Sequence, residues 1–64
     1  MKLFYNPGMG QCALLAQNEK GRILVAAIER NEFVVAHDLS PSGSWIWGKY
    51  FKDIALAVRE FYSK

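Results

Sequence analysis

The sequence predicts an α+β fold: an antiparallel β-sheet of four to five strands, wound as a meander, with one C-terminal α-helix packed on a face. Three observations carry this prediction. Residues 11–39 hold three strand-like segments separated by turn-forming residues. An aromatic segment, Trp45–Phe51, resumes after the loop Ser40-Pro41-Ser42-Gly43-Ser44. The last stretch then changes period: Ile54, Ala57, Val58, Phe61 and Tyr62 recur at helical spacing behind Asp53, a good N-cap.

Residues 2–6 (Lys-Leu-Phe-Tyr-Asn) read as a first strand, stopped by Pro7-Gly8-Met9-Gly10. Residues 11–18 admit two readings. Their Ala, Leu and Gln favour a helix, with Gly21 just past its C-cap. As a strand they enter Asn18-Glu19-Lys20-Gly21, a hairpin loop with glycine at its left-handed position, and run on into the Ile/Val-rich segment 22–30. The hairpin is preferred. A turn at Arg30-Asn31-Glu32, where Asn31 tolerates positive φ, leads into a strand over 33–39. The next strand spans 45–51, and Gly48 inside it marks a bulge or a close backbone approach. The helix covers about 11 residues. Its polar face carries Arg59, Glu60 and Ser63, and also Leu56, an apolar residue out of place there.

At 64 residues and 7.3 kDa the chain reads as a single domain, 1–64. Folding such a chain buries roughly 6,400 Å², and if about 60% of that is apolar the gain is ~95 kcal/mol. Conformational ordering costs about as much. The lone monomer is marginal, so self-association is expected. A content of 52% apolar and 14% aromatic residues excludes a disordered tail or a low-complexity linker.

The net charge of +2 lacks the dense basic stripe of a dedicated nucleic-acid domain. The single cysteine, Cys12, makes no internal disulfide, which fits a reducing compartment. The N-terminus shows no signal-peptide core, and the longest apolar run, Ile23–Ile28, is far short of the roughly 20 residues a spanning helix needs. A soluble, cytoplasmic protein with no membrane partner is expected.

Few side chains suit catalysis. His37 and Asp38, adjacent in a strand, point to opposite faces. A Cys12–His37 dyad would join strands two apart, about 10 Å from each other, too far for a nucleophile–base hydrogen bond. One histidine and one cysteine do not supply a zinc site. Gly8-Met9-Gly10 lacks the third glycine and the helix of a dinucleotide fingerprint, and no P-loop pair follows. The six carboxylates read as solvated charges, since a chain this small has little room for an acid–base cleft. No catalytic residue, cofactor or metal is expected.

The aromatic strand is the most informative segment. Strict alternation puts Trp45, Trp47, Lys49 and Phe51 on one face, and Ile46 and Tyr50 on the other. Packing under the helix is the first reading of these aromatics. The candidate binding set is Trp45, Trp47, Lys49, Lys52 and Leu56. It would serve as an anchor at a protein interface, or as a stacking platform for single-stranded nucleic acid.

Two resemblances bear on these readings. Met1-Lys2-Leu3-Phe4-Tyr5-Asn6-Pro7-Gly8, with Cys12 following, resembles the opening of glutathione-transferase and thioredoxin-fold domains, which would imply a thiol role for Cys12. The consecutive strands after residue 11 depart from the β-α-β order of that fold. Ser44-Trp45, Gly48-Lys49-Tyr50-Phe51, Asp53, Ala57 and Phe61 look like the C-terminal half of many small uncharacterised proteins of bacteria and their mobile elements. That similarity covers about 20 residues; it implies a strand feeding a short helix and carries no activity.

The leading expectation is therefore a non-enzymatic protein-interaction module that self-associates as a homodimer, with another protein partner fitting the same anchors. The alternative is single-stranded nucleic-acid binding through residues 45–52. A thioredoxin-like thiol protein ranks last.

Overall fold

Five strands and a helix follow in chain order, seen in a computed structural model that describes residues 1–63. The strands are β1 (Lys2–Asn6), β2 (Gly10–Gln17), β3 (Arg22–Ala27), β4 (Glu32–His37) and β5 (Ile46–Phe51), and the helix is α1 (Ile54–Tyr62). The sheet order is β1-β2-β3-β4-β5, each neighbour antiparallel. This is the predicted α+β meander with a C-terminal helix.

Tertiary pairing decides the ambiguous segment 11–18. It is a strand, laddered on both sides by β1 and β3, and this overrides its helical composition. The β2–β3 turn has the predicted chemistry. The Asn18 side-chain oxygen accepts from the Lys20 and Arg22 N–H groups, and Gly21 takes φ 91°.

Three elements differ from the sequence reading by more than one residue at an end. The strand expected over 22–30 ends at Ala27, because Ile28–Arg30 form one 3-10 turn closed by the Asn31 N–H on the Ile28 carbonyl, with Asn31 left-handed at φ 56°. That turn folds back on β2, where the Glu29 carboxylate accepts the Gln11 N–H at 2.7 Å. The strand expected over 33–39 ends at His37, because Asp38 is left-handed (φ 56°) and donates its N–H to the Gly21 carbonyl. The helix has nine residues, Ile54–Tyr62. Its buried residues are Ala57 and Phe61, Val58 is half-buried, and the outer members of the expected apolar face, Ile54 and Tyr62, are exposed.

Both faces of the sheet carry a packed layer. On one side Leu24 and Val35 pack with Ala57 and Phe61 of α1, flanked by Phe33, Phe51 and Val58. Helix docking is secured at both ends. Asp53 caps the N-terminus by accepting the Ala55 N–H at 2.8 Å. At the C-terminus Arg22 reaches up from β3 and donates to the carbonyls of Glu60, Phe61 and Ser63, a cation where the helix dipole is negative.

On the other side Cys12, Ile23, Val25, Ala27, Val34 and Ala36 form a second buried layer. The loop between β4 and β5 lies over it as a strap, with Leu39 and Trp45 packed against that layer. Asn6 pins the tip of the strap. This buried side chain donates to the Gly43 carbonyl at 2.7 Å and accepts from the N–H groups of Gly8 and Met9. One residue thus joins the β1–β2 turn to the strap.

Candidate interaction surface

The structure does not bring together Trp45, Trp47, Lys49, Lys52 and Leu56. The cause is a β-bulge. Val35 pairs with Lys49 and His37 with Ile46, so Ala36 alone opposes both Trp47 and Gly48. Trp47 absorbs the extra residue in a left-handed conformation, φ 54°. The bulge inverts the alternation expected for the segment. Trp45 packs on the strap side, edge-on to Phe4 at 6.3 Å, whereas Phe51 packs on the helix side.

Of the two readings offered for Gly48, the bulge holds, and what approaches it closely is side chain and not backbone. It stands at the bulge, and the Trp45 indole N–H donates to the Tyr50 hydroxyl (3.3 Å) directly over it. A side chain at position 48 would meet that hydroxyl at 2.8 Å. Trp47 is 74% exposed, its ring edge-on to His37 at 5.5 Å.

Both candidate lysines are paired. Lys49 meets Glu60 of α1 at 3.0 Å, and Lys52 meets Glu32 at the start of β4 at 3.3 Å. These largely exposed pairs add little stability, but each neutralises a cation that a phosphate would need. Leu56 lies on the outer face of α1, about half exposed.

The thiol and the imidazole sit on opposite faces. Cys12 is fully buried in the strap-side layer, while His37 pairs across strands with Arg22, which reaches the helix on the other side. Burial pushes the Cys12 thiol up, and the nearby Glu29 carboxylate adds to this against a backbone hydrogen bond from Asn6. A protonated thiol in the core is a poor nucleophile. Among the described residues no three His, Cys, Asp or Glu side chains gather as a metal site. A cleft of about 490 Å³ opens beside the C-terminus of α1, between Asn18, Lys20, His37 and Tyr62. Of the two cations in its wall, Lys20 and Arg22, the second is already committed to the helix carbonyls.

The structure adds surface residues that sequence reasoning missed. Leu3 and Tyr5 of β1 are 59% and 63% exposed, on the same side of an edge strand. Tyr62, placed on the buried side by its spacing, points outward. The run Leu3-Phe4-Tyr5 is apolar at every position, so no alternation betrays which side faces water.

Comparison with protein-family models, curated proteins and solved structures finds no match to this chain. Its surface is therefore read on physical grounds. None of the described helices is long and apolar enough to cross a membrane.

Proposed function

We propose that the chain is a non-catalytic interaction module that binds protein surfaces through apolar side chains left outside its two cores, with a second copy of itself as first partner. One observation carries this reading. The helix covers one face over β3–β5 and the strap lies on the other, yet Leu3, Tyr5, Trp47, Leu56 and Tyr62 remain about half or more exposed. Exposed apolar side chains that adjoin one another mark interaction sites, and Leu3 and Tyr5 lie side by side on one face of β1. The alternative, single-stranded nucleic acid, has weaker support, because Trp45 packs inward and Lys49 and Lys52 are ion-paired.

Ionic strength tests the reading. Association followed by sedimentation velocity is expected to persist unchanged from low to high salt, because apolar contacts release no counterions. A labelled single-stranded oligonucleotide titrated under the same conditions is expected to show no change in anisotropy. Tight oligonucleotide binding that falls steeply with salt would overturn the proposal.

A further inference from the structure

The helix leaves part of its own side of the sheet bare. Leu3, Ala13, Ala26 and Phe33 form one cross-strand row, and Phe33 packs in the helix-side layer. Leu3 and Ala13 therefore face the side that carries α1, and Tyr5 shares that side with Leu3. The helix itself packs on β3, β4 and β5. The strip over β1 and β2 is thus a recess one helix layer deep. At about 4.8 Å per strand it is about 10 Å wide, the diameter of one helix. Alanines make its floor, Ala13 buried and Ala16 and Ala26 half-buried, and Leu3 and Tyr5 stand exposed at its outer rim.

The inner wall of the recess is a flank of α1. Glu60 reaches Lys49 on β5, which turns the charged flank of the helix away from β1 and β2. Ile54, Val58 and Tyr62, four residues apart, line the opposite flank and overlook the recess. This accounts for the exposure of Ile54 and Tyr62, which the helical period groups with the buried Ala57 and Phe61. Every residue named in the recess and on this flank is uncharged.

A second copy of this chain has the matching shape. On one face it carries a projection, α1, beside a recess of equal width. A two-fold axis parallel to the strands, midway between two facing sheets, sets each α1 into the other copy's recess. Both recesses are filled at once and the contact closes. The outer side of α1 is covered too, and with it Leu56, the leucine that interrupts the polar face. Arg59, the charge on that side, has the reach to keep its guanidinium in water past the outer rim.

We propose that two copies of this chain pack helix side to helix side, each α1 seated over β1 and β2 of the other, with the Ile54-Val58-Tyr62 flanks meeting across the axis. This rests on the interaction-module reading and names its partner and its surface. The exposed parts of Leu3, Tyr5, Ile54, Leu56 and Tyr62 supply most of an area on the order of 600 Å² from each copy, the low end for specific interfaces. A dimer of that size is in exchange with monomer in the micromolar range.

Cysteine cross-linking reads the symmetry directly. Across a two-fold axis each flank residue meets its own counterpart, so Ile54→Cys and Tyr62→Cys should each form a disulfide-linked dimer alone under mild oxidation. Leu56→Cys, on the other flank of the same helix, should not. The native Cys12 is buried and stays out of the reaction. In parallel, Leu3→Lys/Tyr62→Lys, at two exposed positions, should lower the sedimenting mass from twice 7.3 kDa to 7.3 kDa with the circular dichroism of the wild type. Cross-linking of Leu56→Cys as efficient as that of Ile54→Cys would overturn the arrangement. Persistent association of the double-lysine variant, with dissociation by Trp47→Ala instead, would overturn the recess as the surface and leave the module reading standing. A wild type that stays monomeric throughout would overturn both.

Discussion

Replacing Phe61 with alanine should remove most of the stability of this chain. The ring is 5% exposed and closes the helix-side layer against Leu24, Val35 and Ala57. Taking a buried phenylalanine back to alanine forfeits about 2–3 kcal/mol of transfer free energy, and the cavity left behind raises the total to about 3–5 kcal/mol. Little compensates for it. A helix of nine residues does not hold together alone in water, so α1 persists only while its apolar face is docked. Phe61 also packs edge-on against Tyr62 at 5.1 Å, and alanine leaves that second ring without its neighbour. A 64-residue chain holds about 3–10 kcal/mol in all. Urea unfolding followed by circular dichroism should thus find Phe61→Ala largely unfolded before denaturant is added. Arg59→Ala, on the exposed side of the same helix, should shift the midpoint hardly at all. Small and equal effects at the two positions would refute the packing of α1 on β3 and β4.

Three further perturbations probe the rest of the frame. Gly43 lies at φ 89° with its Cβ position on the Tyr5 carbonyl oxygen, so Gly43→Ala should cost about 2 kcal/mol or more and lower the thermal midpoint by several degrees in calorimetry. Gly21→Val meets positive φ and the Asp38 carboxylate together, and should destabilise the β2–β3 hairpin in the same assay. Cys12 should resist iodoacetamide at neutral pH until the chain unfolds, since its burial holds the thiol protonated. The same shift sets a pH dependence. The unfolded thiol ionises first, so stability is full below the ordinary thiol range and declines as pH rises through it towards the raised folded value. Rapid alkylation of the folded chain, or stability that rises in alkali, would contradict this.

Much of the fold was legible because local chemistry and tertiary demand agree. Asp53 before an apolar helical stripe, Gly21 after Asn18, and Asn31 at a turn each take the conformation their side chains favour. The candidate site was less legible. Alternation placed Trp45, Trp47, Lys49 and Phe51 on one face, and a single bulge separates them. Nothing in a tryptophan announces a left-handed conformation; Gly48 hinted at the irregularity but not at which residue would absorb it. The pairing of Lys49 with Glu60 and of Lys52 with Glu32 depends on strand order and helix placement, which one-dimensional spacing does not encode. The strap is a similar case. Ser40–Ser44 reads as a loop from composition, but its course over the sheet is set by Asn6, 37 residues away in sequence from the Gly43 carbonyl it holds.

The most direct test of the account is the mass of the wild-type chain in solution as a function of concentration. Sedimentation equilibrium should show a species of twice 7.3 kDa at tens of micromolar and above. That species should dissociate on dilution, and the thermal midpoint should rise with concentration as mass action requires. A sole species of 7.3 kDa at every concentration, with an unmoving midpoint, would contradict it.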